Sequence, residues 1–273
     1  MKAENKTLIT HKEDKPMKNY FDLTGQVALV TGCSTGLGVQ MAKALANQGA
    51  KIVALARREN MIKQVAEDIA AEFGVETFYV PCDITDTDRV NAAVDAILEK
   101  FGRIDILINN AGTGAVAPAE DITDPQFDNE MQIDLFGTFK VARAVAKKAM
   151  IPAKYGRIIN IASMYGLVGN KIAGSAPYHA AKGGVVNLTR ALAAEWGKYG
   201  ITVNSICPGY FYTPLTVDTL NSDFFQQNAK TMIPEERYGN EGELDTAAIF
   251  LASPASSYVT GVQLPVDGGY TCM

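Results

Sequence analysis

From residue 26 onward, short apolar runs alternate with longer segments of helical periodicity, and this alternation restricts the fold more than any other feature of the sequence. The runs are bounded by turn residues and are apolar at almost every position, as is typical of parallel strands covered on both faces. They predict strands over 27–30, 52–55, 77–80, 104–108, 157–161, 202–206 and 263–266, separated by helices over 37–48, 59–73, 86–101, 125–149, 177–198 and 243–252. This order indicates an α/β fold with a doubly wound, seven-stranded parallel sheet and helices on both faces.

The chain of 273 residues has no interior stretch rich enough in proline, glycine or serine to serve as a linker, and no internal repeat. We therefore expect one domain over residues 23–273, preceded by a polar N-terminal extension over residues 1–22. The least regular interior stretch, residues 208–240, follows the sixth predicted strand and is rich in aromatic residues. Since ligands of open α/β sheets bind at the carboxyl ends of the strands, this stretch is a candidate substrate lid.

Composition and charge exclude several classes of function. A formal net charge of −5 with 47% apolar residues is typical of a soluble globular protein, not of a nucleic-acid-binding or disordered chain. The two histidines and four cysteines are not closely spaced, so neither a metal site nor a disulfide framework is expected. The N-terminus lacks the apolar run of a signal peptide, and no segment reaches the roughly 18 apolar residues that span a bilayer. We therefore expect a cytoplasmic protein that acts on a small molecule and binds neither nucleic acid nor membrane.

A glycine-rich turn follows the first predicted strand and opens the first predicted helix. Gly32 permits a tight turn, Gly36 lets the backbone approach a pyrophosphate, and Gly38 allows close packing of the helix. The N-terminus of that helix then faces the negative charge. Between a strand and a helix, this turn predicts a Rossmann-type dinucleotide site at Gly32, Ser34, Thr35, Gly36, Leu37 and Gly38.

The end of the second strand normally decides which dinucleotide binds, because an acidic residue there contacts the ribose 2′-hydroxyl. Here the position carries no carboxylate and is followed by Arg57 and Arg58. A guanidinium can donate two hydrogen bonds to a 2′-phosphate, so the sequence predicts NADP(H) in preference to NAD(H). Two solvated arginines at a helix start are the alternative interpretation.

Tyr178 and Lys182 are four residues apart in a segment of helical periodicity, which places them on one face of a helix. A fixed ammonium stabilises a neighbouring phenolate and lowers the pKa of the phenol, which suits a proton donor and acceptor. Alone, the pair would be unremarkable on an exposed helix. However, Ser163 ends the fifth predicted strand and presents a hydroxyl at the same edge of the sheet.

Several motifs together give a clear resemblance to the short-chain dehydrogenase/reductase family over about residues 24–270. They are the glycine turn, Asn109-Asn110-Ala111-Gly112, Ser163 with Tyr178 and Lys182, Pro208-Gly209 with Thr213, and Val266-Asp267-Gly268-Gly269. The resemblance implies that Tyr178 is the general acid and base, that Ser163 holds the substrate oxygen, and that Lys182 tunes Tyr178 and binds the nicotinamide ribose. It also implies a homotetramer formed through helices 125–149 and 177–198. Further cofactor contacts are implied for Asp83, Asn110, Ala111, Gly112, Pro208, Gly209 and Thr213.

The sequence departs from the family pattern at two places. Asp134 stands where the family has a catalytic asparagine that bends its helix. We expect the bend to persist and the carboxylate to lie near Lys182 and raise the lysine pKa, which alters the proton relay. The second departure is the interval of 15 positions from Ser163 to Tyr178, slightly longer than usual, which predicts a surface loop beside the pocket.

The predicted pocket walls are Thr113, Met164, Tyr165, Tyr210 and Phe211. Their aromatic character favours a hydroxysteroid or a similar bulky apolar ketone, and Lys171 is the only cation nearby to bind a carboxylate. The alternative is a sugar acid, because residues 163–184 also resemble gluconate 5-dehydrogenases. A remote alternative is a non-catalytic dinucleotide-binding sensor or scaffold, which would be expected to lose Tyr178 or Lys182.

Overall fold

A parallel sheet of seven strands lies at the centre of the computed structural model, which describes residues 19–273 except 115, 171–173 and 215. Most of the predicted extension over 1–22 thus lies outside the described residues. The strand order β3-β2-β1-β4-β5-β6-β7 confirms the predicted doubly wound topology. The strands are β1 Val27–Thr31, β2 Lys51–Ala56, β3 Thr77–Pro81, β4 Ile106–Asn109, β5 Gly156–Ile161, β6 Ile201–Pro208 and β7 Gln263–Val266.

The helices agree with the sequence prediction to within a few residues wherever the periodicity was strong. They are α1 Leu37–Asn47, α2 Glu59–Phe73, α3 Thr87–Phe101, α4 Asp124–Glu130, α5 Thr138–Val145, α6 Ile151–Ala153, α7 Ala176–Trp196, α8 Val217–Leu220, α9 Asp223–Met232 and α10 Asp245–Ala252. The single predicted helix 125–149 is a continuous run of α4, α5 and α6 joined by π-helical turns at Met131–Gly137 and Ala146–Met150. Among the described residues, every helix is too short or too polar to cross a bilayer.

Two apolar layers cover the sheet because neighbouring strand residues point to opposite faces. Ala28 and Val30 of β1 pack into a cluster with residues of α1, α2 and α10, including Met41, Ile62 and Leu251. Val27 and Leu29 of β1 pack on the other face with residues of α3, α5 and α7, including Ile97, Val145 and Leu192. Burial on both faces explains why the strands are apolar throughout.

The order of the strands reverses between β1 and β4, and this point fixes where the site forms. Thr31 ends β1, and its hydroxyl accepts hydrogen bonds from the backbone N–H groups of Asn110 and Ala111 just after β4, both at 3.0 Å. The loops that follow β1 and β4 thus separate from each other, but hydrogen bonds to the Thr31 hydroxyl join them where they begin. Such a switch point is the usual ligand crevice of an open α/β sheet.

The stretch 208–240, predicted as an irregular lid, contains α8 and α9. With four and ten residues, these helices span too few turns within an irregular stretch for their periodicity to predict them. The two ends of the stretch lie side by side, because the backbone N–H of Gly239 donates to the carbonyl of Tyr210 at 2.8 Å. Phe211 lies beside this contact and is buried.

Candidate active site

A cavity of about 360 Å³ opens at the carboxyl ends of the strands and collects most of the predicted site residues. Three predicted catalytic residues line it, namely Ser163, Tyr178 and Lys182. Two predicted wall residues, Thr113 and Phe211, line it as well. The predicted cofactor-binding residues in its lining are Gly32, Ser34, Thr35, Gly36, Leu37, Arg57, Arg58, Asp83, Asn110, Ala111, Gly112, Pro208, Gly209 and Thr213, together with Tyr178 and Lys182.

The glycine turn is held by the side chain of Asn110. Its amide donates to the carbonyls of Thr31 and Gly32 at 3.1 and 3.3 Å. A Cβ on Gly32 or on Gly38 would lie only 2.8 or 2.6 Å from this amide nitrogen, so both positions need glycine. Gly38 itself does not line the cavity. Asn110 supports the glycine turn, and its contact with the cofactor ribose stays a prediction.

Two guanidiniums lie at the mouth of the cavity beside the glycine turn. Arg58 Nη2 donates to Ser34 Oγ at 2.8 Å, and Arg57 adds a second positive charge to the same rim. Burial alone would raise the pKa of Asp83, but hydrogen bonds from Thr85 and the charge of Arg57 bring it below its usual value. The open glycine turn, the N-terminus of α1 and this cationic rim fit a phosphate-bearing dinucleotide.

Ser163, Tyr178 and Lys182 converge from two elements. Ser163 lies just after β5, where its Oγ accepts the backbone N–H of Tyr165 at 3.1 Å, and its hydroxyl is near enough to the Tyr178 phenol to lower the phenol pKa. Lys182 lies one turn after Tyr178 on α7, with Nζ 5.5 Å from the centre of the phenol ring. Its Nζ also donates to the carbonyl of Ile161 at 3.1 Å, which ties α7 to the end of β5. The helix thus presents a phenol and an ammonium to one cavity.

Asp134 lies behind Lys182 in the π-helical turn Met131–Gly137 and is fully buried. Its Oδ2 is 3.0 Å from Lys182 Nζ, and its Oδ1 accepts the backbone N–H of Thr113 at 2.8 Å. A Cβ at Gly112 would lie 3.1 and 3.3 Å from the two carboxylate oxygens, so the pair depends on a glycine there. The expected placement of this carboxylate beside Lys182 is confirmed.

The pKa values of the pair follow from burial and charge. Burial lowers the pKa of Lys182, but the charges of Asp134, Tyr178 and Glu130 outweigh burial and raise it, as expected for Asp134. Burial raises the pKa of Tyr178, and although Lys182 and the Ser163 hydroxyl lower it, the net shift is upward. Lys182 thus lowers the Tyr178 pKa as expected, but burial outweighs its effect. Asp134 and Glu130 both add to the upward shift.

Glu130 was not identified from the sequence. It ends α4 one helical turn before Asp134 and is 1% exposed, and its charge adds to the upward shift of the Lys182 pKa. The spacing of four residues from Asp134 was the available signal. Ile133 also lines the cavity and was missed, because the π-helical turn changes which side chains face inward.

The predicted aromatic wall is only partly present. Met164 is 2% exposed and lies outside the cavity lining, so its prediction as a wall residue is wrong: the 3-10 turn Met164–Gly166 directs it into the interior. Tyr165 and Tyr210, whose hydroxyls are hydrogen-bonded to each other, do not line this cavity, and Tyr210 lines a neighbouring one instead. Lys171 lies outside the described residues.

A tyrosine cluster explains the position of these two rings. Tyr165 stacks on His179 with ring centres 4.7 Å apart and meets Tyr210 and Tyr270 edge to face at 6.2 Å. Tyr210 in turn packs edge to face on Phe225 at 5.3 Å. Tyr270 could not be predicted, because it lies near the C-terminus and reaches the others only through the tertiary fold. The half-buried tyrosine rings pack edge to face on one another, and Tyr210 with Phe211 also lines a second cavity of about 410 Å³.

Known proteins resemble this chain over nearly its whole length. A family model described as enoyl-(acyl carrier protein) reductase matches residues 32–271. A gluconate 5-dehydrogenase of Gluconobacter oxydans is 41% identical over 251 residues, which cover 92% of this chain and 96% of that protein. A D-threitol dehydrogenase of Mycolicibacterium smegmatis is 39% identical over 254 residues, with 92% and 95% covered. The crystal structure of a gluconate 5-dehydrogenase from Burkholderia cenocepacia J2315 in complex with NADP and tartrate has a TM-score of 0.89 and 38% identity, with 93% and 98% covered.

Proposed function

Because the chain belongs to the short-chain dehydrogenase/reductase family and is an NAD(P)-dependent oxidoreductase acting on CH–OH groups, we propose that it interconverts a secondary alcohol and a ketone in an open-chain sugar acid or polyol. The observation that carries the substrate class is the identity of 41% and 39% to enzymes named for a sugar acid and a polyol. The cavity supports it, since the tyrosines that favoured a hydroxysteroid pack against one another. A hydroxysteroid is therefore the weaker of the two expectations.

Tyr178, Ser163 and Lys182 each have a separate role in the proposed reaction. When bound, the reduced nicotinamide supplies a hydride to the carbonyl carbon, and Tyr178 supplies a proton to the carbonyl oxygen. Ser163 hydrogen-bonds that oxygen and stabilises its developing charge. Lys182, fixed by Ile161 and Asp134, offsets the charge that Tyr178 acquires when it gives up its proton. In alcohol oxidation Tyr178 accepts the proton instead.

The preference for NADP(H) over NAD(H) is also part of the proposal. Arg57 and Arg58 give the cavity rim two cationic side chains, and no carboxylate occupies the end of β2. A 2′-phosphate would be held by charge-assisted hydrogen bonds from these guanidiniums, as the sequence analysis predicts. The structure of the relative in complex with NADP supports this choice.

We further propose that residues 208–240 act as the substrate lid, since Phe211, Thr213 and Thr216 of this stretch line the cavity.

We also propose that the protein forms a homotetramer and is located in the cytoplasm. The exposed rings of Phe127 and Phe136 on the helical run that begins at Asp124 support association between copies.

A substrate panel tests the proposal directly. The purified protein is offered 5-ketogluconate, ketoses derived from threitol and galactitol, and a ketosteroid, each with NADPH and with NADH, while the absorbance of the reduced cofactor is followed. We expect turnover of at least one sugar acid or polyol-derived ketone and a higher kcat/KM with NADPH. Turnover of the ketosteroid alone would contradict the substrate class, and a higher kcat/KM with NADH would contradict the cofactor preference.

A further inference from the structure

The carboxylate of Asp134 is bonded in a way that an asparagine side chain could not reproduce. Oδ1 accepts the backbone N–H of Thr113, and Oδ2 faces the ammonium of Lys182 at 3.0 Å. An amide group has only one acceptor oxygen, and its nitrogen is a donor that an ammonium repels. A backbone donor on one oxygen and an ammonium beside the other therefore favour a carboxylate at this position.

The pair lies deep in the protein, where charges interact strongly. Asp134 is 0% exposed and Lys182 is 4% exposed, so water screens their interaction poorly. The acid removes much of the positive field that Lys182 would otherwise exert on the phenol of Tyr178. The phenol is coupled to both groups, since its proton affinity is lowered by Lys182 and increased by Asp134.

We propose that Asp134 moves the pH at which this active site becomes competent for alcohol oxidation upward, by compensating the charge of Lys182 and so keeping Tyr178 protonated. The inference rests on the proposed function, because it concerns the pH range in which the same oxidoreductase site works. Asp134 acts here as a positioning residue: it touches Lys182 and the Thr113 backbone and does not line the cavity.

The direction of the effect follows from the groups that face the phenol. From α7 it faces Lys182, from the helical run before it Glu130 and Asp134, and from the loop after β5 the uncharged hydroxyl of Ser163. Cys207 of β6, whose pKa burial raises to about 11, stays neutral near Lys182. The negative charges of Glu130 and Asp134 thus act on the phenol against the single positive charge of Lys182. Removal of one carboxylate stabilises the phenolate, which is the form that alcohol oxidation requires and carbonyl reduction does not use.

The first test compares the pH dependence of kcat/KM for alcohol oxidation in the wild type, Asp134→Asn and Asp128→Asn. Asp128 lies on α4 and is exposed, so its variant removes a negative charge from the same run without touching Lys182. We expect Asp134→Asn to move the midpoint to lower pH by about one unit or more. Asp128→Asn should leave it in place. A uniform loss of kcat/KM with an unmoved midpoint, or a midpoint that moves to higher pH, would overturn the proposal.

A second measurement needs neither substrate nor cofactor. Alkaline titration of tyrosine absorbance in the wild type and in Tyr178→Phe gives the ionisation of Tyr178 by difference. Because burial raises the pKa of Tyr178, we expect its phenolate to appear only above pH ~10, the ordinary value. Ionisation well below that pH in the wild type would overturn the proposal, even if Asp134→Asn fails to fold. The same difference titration in the Asp134→Asn background, with Asp134→Asn/Tyr178→Phe as its reference, isolates the carboxylate: we expect the Tyr178 phenolate to appear at lower pH than in the wild type, and an unchanged pH would overturn the proposal. If the substrate panel fails, the proposed function falls, but this comparison still decides the role of Asp134.

Discussion

At the scale of single residues, the cofactor preference depends on Arg57 and Arg58 at the end of β2. Arg58 is already oriented by its hydrogen bond to Ser34, so little side-chain entropy remains to be lost when a phosphate binds. Charge-assisted hydrogen bonds of this kind contribute roughly 1.5–3 kcal/mol each. The two arginines thus supply a contact that a cofactor without the 2′-phosphate cannot use.

Replacement of both arginines by alanine should weaken NADPH binding selectively. From the strength of such contacts we expect the dissociation constant for NADPH to rise at least about tenfold, with that for NADH nearly unchanged. Fluorescence titration of the two reduced cofactors measures this. Lys63→Ala, an exposed cation farther along α2, is the matched control and should alter neither value. An equal loss of both cofactors would mean that the arginines do not distinguish them.

At the same scale, the motifs predicted most of the residues that line the cavity but not the direction of every side chain. The motifs at the strand ends must reach the cavity, because all parallel strands end at one edge of the sheet. Met164 and Tyr165 follow Ser163 directly, yet the 3-10 turn there buries one and directs the other to His179. Side-chain direction in a short turn depends on local dihedral angles, which residue types alone do not determine.

At the scale of elements, the site depends on how closely α7 approaches the turn that follows β5. A Cβ on Gly166 would lie 2.7 Å from the backbone carbonyl of Lys182, so the two segments meet backbone to backbone. Gly183, the next residue on α7, has more room, because a Cβ there would lie 3.8 Å from the carbonyl of Gly166. This contact sets the separation between Ser163 and the Tyr178–Lys182 pair.

The two glycines give a matched pair of variants. We expect Gly166→Ala to lower the free energy of unfolding by about 1–3 kcal/mol, because a backbone atom must move to admit the methyl group. We expect Gly183→Ala to cause no loss and a gain of up to about 1 kcal/mol, since alanine favours a helix interior. Urea unfolding followed by circular dichroism compares them. Equal stability of the two variants would show that the contact is looser than described.

The helical run from Asp124 illustrates what periodicity misses at this scale. Its apolar spacing predicts one helix, and the capping box of Thr123 and Gln126 marks the start. The π-helical turn Met131–Gly137 inserts extra residues without changing the apolar character of the run, so the sequence pattern does not show it. Only the turn places Asp134 against Lys182.

At the scale of the whole molecule, the resemblance to the family implies that the catalytic domain functions as a tetramer. The outer side of the helical run retains Phe127 and Phe136, which are 37% and 44% exposed. An apolar surface of this kind is typical of a face that a second copy covers.

Light scattering over a series of micromolar concentrations tests the assembly. We expect a mass close to four times the 29.3 kDa of one chain, independent of concentration in this range. The reason is that an apolar interface formed by two long helices from each copy should persist at such dilution. A monomer at these concentrations would contradict the homotetramer.

The sequence by itself determined the sheet, its layers and most of the residues that line the cavity. Burial on both faces demands apolar strands, and the glycine turn with Ser163, Tyr178 and Lys182 requires only that strand ends share an edge. The tertiary structure alone decided which carboxylates face Lys182, that Asn110 supports the glycine turn, and that the tyrosines pack against one another. These features depend on distances between residues far apart in the chain. Such distances are set by backbone turns and packing, which periodicity and motifs do not encode.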